Sequence, residues 1–355
     1  MVFNTSILGA SHIKDNKSCQ DYSIAWQSEE DGAVVLVVCD GHGSDTYVRS
    51  DVGSRLAGEI ALEAVKRFIL PVGDIRPDSD WIAGVQGAVT ARESDVLTRY
   101  SEALPRAEED MTDSDWMRYR QRLEFRGQVK GIYEQDAIFQ ALFTSIYEKW
   151  LEAIHQDARQ NPFTEDEQSR LGAHKLVKAY GTTLMAYVQT PDYWFAFHIG
   201  DGRMLSCDKQ MQWRQIVPWD CNCFQNQTTS LCNTNPVPMF RYAFDGTGNF
   251  PTAVFCCSDG IEDSYGDYDV APERLHNYFS GLLNVFVREG KESTMAKLEE
   301  FLPKLSAVAS KDDMSIAGFI NTESIEEDEL TGDDQTAGKG AGQGGCRQSG
   351  IHGNA

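Results

Sequence analysis

Short apolar runs in this chain repeatedly meet an aspartate beside a glycine or a second aspartate. Cys39-Asp40-Gly41-His42-Gly43, Ile199-Gly200-Asp201-Gly202-Arg203 and Cys257-Ser258-Asp259-Gly260 each follow an apolar run, and Lys311-Asp312-Asp313-Met314-Ser315 precedes the last one. A single Asp-Gly pair is ordinarily just a turn at a strand end. Several in this context imply strands that deliver carboxylates to one common edge.

Clustered carboxylates repel one another unless a cation compensates them, and hard divalent ions such as Mg²⁺ and Mn²⁺ prefer oxygen ligands. The neighbouring glycines let the backbone turn sharply and approach a ligand closely. The pattern therefore points to a site for more than one metal ion.

Composition narrows the classes. The chain has 355 residues, 41% of them hydrophobic, enough for one large core or two modest ones. Its formal charge of −22 disfavours a nucleic-acid backbone or an anionic membrane as the main partner. The sequence has no run of about 20 apolar residues, and Met1-Val2-Phe3-Asn4-Thr5-Ser6 lacks the features of a secretory signal, so a cytosolic protein is expected. Cys39, Cys256 and Cys257 lie inside apolar runs and read as reduced core thiols. Cys221, Cys223 and Cys232 share a loop but lack the paired spacing of a structural zinc site.

Periodicity predicts the elements. Tyr22 to Trp26 alternates and Ala33 to Cys39 is continuously apolar, predicting a hairpin that ends at Asp40. Val48, Val52, Leu56, Ile60, Ala64 and Phe68 predict a helix over 45–70, stopped by Pro71. Ile138, Leu142, Ile146, Trp150 and Ile154 predict a second helix over 132–154. A hairpin over 181–199 ends at Asp201, a strand over 253–257 leads to Asp259, a helical stretch covers 272–305, and a last strand runs over 314–320. Residues 73–128 form a charged excursion, and 321–355 an acidic, then glycine-rich disordered tail beyond a domain of residues 1–320.

In this order, Gln20-Asp21, Asp40-Gly41-His42-Gly43, Gly181-Thr182-Thr183, Gly200-Asp201-Gly202-Arg203, Ser258-Asp259-Gly260 and Asp312-Asp313-Met314-Ser315 resemble the motifs of the metal-dependent PP2C-type (PPM) serine/threonine phosphatases. The resemblance covers most of residues 5–320. Ser11-His12 through Asp21, and the Asn226 to Leu231 loop, look most like a bacterial branch. It implies an α+β fold, a four-layer αββα sandwich with two central antiparallel sheets flanked by helices. It also implies two Mn²⁺ or Mg²⁺ ions, with a third more weakly held. By resemblance Asp40 bridges two metals, the Gly41 carbonyl helps bind one, Asp259 and Asp312 complete the other, Asp21 is the first acidic residue of the site, and Asp201 belongs to the third.

The activity so implied is hydrolysis of phosphoserine and phosphothreonine by a metal-activated water, without a covalent intermediate. His42, beside the bridging aspartate, is the candidate general acid. Many members carry an arginine that grips the substrate phosphate; here the stretch reads Lys14-Asp15-Asn16-Lys17-Ser18, so Lys17, Lys14 or His12 is left to supply the charge without a bidentate fork. Gln20 stands where many members have Glu. Phosphorylated proteins, and by analogy a serine/threonine kinase sharing those targets, are the expected partners, with a monomer as default. The alternatives are a pseudophosphatase acting as a binding module and a metallohydrolase of small phosphoesters. Retention of every core aspartate disfavours the first.

Overall fold

The computed structural model describes residues 1–69, 82, 85–86, 137–220, 222–223 and 227–325. In chain order the elements are β1 (Val2–Ile7), α1 (Ala10–Asp15), β2 (Tyr22–Gln27), β3 (Val34–Cys39), α2 (Ser50–Ile69), α3 (Ala137–Gln160), α4 (Glu165–Leu171), α5 (Leu176–Ala179), β4 (Leu184–Gln189), β5 (Trp194–Ile199), β6 (Arg203–Cys207), β7 (Trp213–Gln215), β8 (Arg241–Asp245), β9 (Ala253–Cys257), α6 (Asp259–Asp263), α7 (Pro272–Val308) and β10 (Met314–Ile320).

Two five-stranded sheets form, ordered β1-β10-β9-β6-β7 and β2-β3-β4-β5-β8. All their pairings are antiparallel. Successive side chains of a strand point to opposite faces, so a strand buried on both faces is apolar throughout. In β3, Val35, Val37 and Cys39 face a core shared with α2 and α3, while Val34, Leu36 and Val38 face the other sheet. In β9, Phe255 and Cys257 join a core with α7, while Val254 and Cys256 turn inward to the sheet that holds β3. These three cores separate four layers, which is the αββα sandwich implied by the resemblance.

Helix α2 begins at Ser50 rather than near residue 45, because residues 44–49 make turns in which Tyr47 N–H bonds Ser44 O. Helix α3 runs to Gln160, further than its apolar repeat indicated. Helix α7 is interrupted at Gly290, whose φ of 80° no helix interior adopts. Strands β1 and β8 were not anticipated. Of the 73–128 excursion, Ile82 and Val85 pack on the first core, and Gly246 N–H donates to Gln86 Oε1 at 2.9 Å. The remainder of that excursion, the start of the second helix at 132–136, and the tail beyond 325 lie outside the described residues.

Among the described residues no helix is long and apolar enough to cross a membrane. The described cysteines are free thiols.

Candidate metal centre

Register brings the first two carboxylates together. Tyr22 pairs with Cys39, so the residue before β2, Asp21, and the residue after β3, Asp40, leave the same edge of one sheet. The Gly181-Thr182-Thr183 motif then fixes Asp40 by its main chain. Thr183 N–H donates to Asp40 O at 2.8 Å, Thr182 Oγ1 donates to the same oxygen at 2.9 Å, and Asp40 N–H donates to Thr183 Oγ1 at 3.0 Å. Both threonines are buried, which makes them a bracket for the site. Gly41 N–H donates to Gln20 O at 3.1 Å, and a Cβ on Gly41 would stand 2.5 Å from that oxygen, so only glycine fits.

The other sheet supplies Asp259 and Asp312. Ser258 N–H donates to Ser315 O and Ser315 N–H to Ser258 Oγ, both at 3.0 Å, which ties the start of α6 to β10. A Cβ on Gly260 would lie 2.0 Å from Asp313 O, so the two loops touch through backbone. Asp312 is exposed at the rim, whereas Asp313 is buried.

Asp313 was not anticipated as an organising residue. Its Oδ1 accepts from Gly9 N–H at 2.6 Å and its Oδ2 from Gln20 N–H at 2.6 Å, with His12 Nδ1 2.9 Å from Oδ2. Burial opposes the charge, but His12 and these two N–H groups hold the Asp313 carboxyl below its usual range. His12 is raised by the same contact. His12, expected from the sequence near substrate phosphate, has its ring buried against Asp313. Lys17 remains at the rim, its Nζ donating to Gly43 O at 3.3 Å and lying 3.9 Å from exposed Asp45.

Asp201 follows Gly200, whose φ of 130° favours glycine. Buried Arg241 donates to Gly200 O at 2.8 Å and to Pro218 O at 2.7 Å, and Gly200 N–H donates to Thr229 Oγ1 at 3.1 Å. Thr229 Oγ1 in turn donates to buried Asp220 at 2.8 Å. The loop after β7 thus anchors the Asp201 turn. Cys223 Sγ donates to Gly200 O in the same place, while Cys221 lies outside the described residues.

The electrostatics are those of crowded acids. Burial, followed by repulsion from Asp259 and Asp21, raises Asp40 well above the carboxylate range. Burial, then the charge of Asp201, raises Asp259. Asp21 is raised by burial and by Asp313, Asp259 and Asp312, although Ser258 hydrogen-bonds it. Asp201 is raised mainly by burial, and Asp312, though at the rim, mainly by partial loss of water around its carboxyl.

Among the described residues no three His, Cys, Asp or Glu side chains already form a cage about one point. The donor set nevertheless fits hard cations. Carboxyls that repel one another at close quarters need either bound protons or a cation between them at neutral pH. Asp21 Oδ2 and Gln20 Oε1 are buried beside them with no hydrogen-bond partner.

His42 N–H donates to Gly181 O at 3.1 Å, and its ring packs on Tyr47 with centroids 4.6 Å apart. Burial and then the Lys178 charge push the imidazole down to about 4. It borders a groove of about 1040 Å³ that also meets Tyr47, Lys178 and the 227–239 loop.

A family model described as Protein phosphatase 2C matches residues 8–303. No curated protein matches the chain. Similar solved structures include serine/threonine phosphatase Stp1 from Staphylococcus aureus, at 14% identity and TM-score 0.46, covering 90% of this chain and 94% of that one. The Mycobacterium tuberculosis serine/threonine phosphatase PstP/Ppp is similar at 13% identity and TM-score 0.45, covering 90% of this chain and 98% of that one. PppA of Pseudomonas aeruginosa is similar at 13% identity and TM-score 0.44, covering 90% and 96%. The family match spans most of the described sandwich, from before the Gln20-Asp21 pair to late in α7, and so the chain belongs to the protein phosphatase 2C family, a family of protein serine/threonine phosphatases.

Proposed function

We propose that this chain is a metal-dependent phosphatase that releases phosphate from phosphoserine and phosphothreonine in proteins, through a domain of residues 1–320. The observation that carries this reading is the carboxyl set gathered at one end of the sandwich: Asp21 and Asp40 leave the same sheet edge, the charges of Asp259 and Asp21 act on Asp40, and Asp21 Oδ2 is buried without a hydrogen-bond partner. Asp21, Asp40, Asp259 and Asp312, with the Gly41 carbonyl, would hold two Mn²⁺ or Mg²⁺ ions, and Asp201 would serve a third. When bound, such ions supply an acidified water and neutralise charge on the phosphoryl oxygens.

The protein's own groups do the rest. Thr182 and Thr183 keep Asp40 from turning away, and Asp313 holds the Gln20 and Gly9 loops around the site. Lys17, at the rim, attracts the substrate phosphate as a point charge. His42 is kept neutral by burial and Lys178, and a phosphate dianion beside it favours the imidazolium that protonates the departing serine or threonine oxygen. Phosphoproteins of a serine/threonine kinase, in the cytosol of a bacterium, are the targets that the sequence resemblance favours.

The test is Mn²⁺-dependent phosphate release from a phosphothreonine peptide and from p-nitrophenyl phosphate. Higher kcat/KM on the peptide supports the reading. Turnover of the small ester alone favours a small-phosphoester hydrolase, and none on either favours a binding module.

A further inference from the structure

The groove beside His42 has a chemical character of its own. Among its described lining residues there is no Asp or Glu, although the chain carries a net charge of −22. Gln227, Asn233 and Asn235 present amides along it, and Lys178 supplies its one fixed positive charge among the described lining residues. Among the described residues no carboxylate pairs with Lys178. Its amino group instead meets the Tyr47 hydroxyl and lies 4.3 Å from the Tyr47 ring centroid, and that ring packs on His42.

A polypeptide leaving His42 needs room and main-chain hydrogen bonds. At about 1040 Å³ the groove exceeds the upper range typical of a drug-sized ligand, about 1,000 Å³. Its amide groups can both donate to and accept from an extended main chain. A half-buried lysine held by a neutral hydroxyl keeps its charge available for an incoming anion, the more so in a chain whose overall field repels acidic partners.

We propose that this groove is the subsite for the polypeptide flanking the phosphoresidue, and that Lys178 receives an acidic side chain of that flank. The proposal rests on the phosphatase reading above and names its substrate class: phosphopeptides with Asp or Glu near the phosphoresidue. Tyr47 is the positioning residue, because it fixes the lysine head.

The experiment compares two phosphothreonine peptides that differ only by Asp or Ala beside the phosphoresidue, with wild type, K178M and K178R, Mn²⁺ present. Wild type is expected to prefer the Asp peptide about tenfold in kcat/KM, carried by KM, the size of one charge-assisted hydrogen bond. K178M brings the ratio close to one and K178R restores it. A merely structural role for Lys178 would lower both peptides together and leave the ratio, which overturns the proposal. So does a wild type indifferent to the flank. Wild type inactive on both peptides and on p-nitrophenyl phosphate would instead bring down the phosphatase reading, and the flank preference with it.

Discussion

The main-chain N–H of Gln20 donates to Asp313 Oδ2 at 2.6 Å, across 293 residues of sequence. This bond joins the loop before β2, on one sheet, to the loop before β10, on the other, at the end where Asp21, Asp40, Asp259 and Asp312 emerge. The two halves of the site are therefore held by a carboxylate that need bind nothing else.

Asp313→Asn tests that clamp. An amide offers one accepting oxygen where the carboxylate uses two, and its NH₂ would face an N–H donor. Leaving buried donors unpaired costs about 1–3 kcal/mol each. The variant is expected to lose about 2–4 kcal/mol by chemical denaturation, and to bind Mn²⁺ more weakly in calorimetry. Unchanged stability and affinity would deny Asp313 this role.

Thr183→Val keeps the shape and β-branching of the side chain while removing the oxygen that accepts from Asp40 N–H. The expected cost is about 1–3 kcal/mol, with phosphate release falling because Asp40 is less well held. If the fall in activity matches the unfolded fraction alone, Thr183 only stabilises.

Arg49 gives the pH dependence. Its guanidinium bonds Glu167 at 2.8 Å and Asp157 at 3.3 Å, and lies 4.0 Å over the Phe163 ring. The Arg49 hydrogen bond is the main cause that holds Glu167 down to about 2. A depressed carboxylate contributes stability above its unfolded pKa of about 4.3 and loses it as pH falls toward the folded value. Glu167→Gln is thus expected to destabilise by about 1 kcal/mol at pH 7, solvent screening included. The gap from wild type, followed by thermal unfolding, should close between pH about 5 and pH about 2. A gap independent of pH would contradict it.

The carboxyl cluster makes metal a stabiliser. Mn²⁺ added to chelator-treated protein should raise Tm in proportion to log concentration once it exceeds Kd, by linkage. Asp40→Asn should be more stable than wild type without metal, because one repelling charge is gone, and should gain less from Mn²⁺.

The strand-end aspartates were legible because burial on both faces makes β3 and β9 continuously apolar and β5 apolar but for His198, and each run stops where the turn begins. The sandwich followed once those ends were ordered by resemblance. Strand β1 was not legible: Val2-Phe3-Asn4-Thr5-Ser6-Ile7 carries polar residues that face other strands, with Ser6 Oγ bonded to Ser23 and Ser315. Strand β8 begins at Arg241, a residue that reads as exposed until its bonds to Gly200 O and Pro218 O are seen. Asp313 and His12 escaped for the same reason, since their partners lie hundreds of residues away. His12 read as a free cation, and its ring lies buried against Asp313.

The most direct test is phosphate release from a phosphothreonine peptide by wild type and Asp259→Asn, each with Mn²⁺ and with EDTA. The account predicts turnover by wild type that needs Mn²⁺, is abolished by EDTA, and drops at least 10²-fold in the variant, the scale on which catalytic groups contribute. Turnover that survives EDTA, or that Asp259→Asn leaves intact while folded, would contradict it.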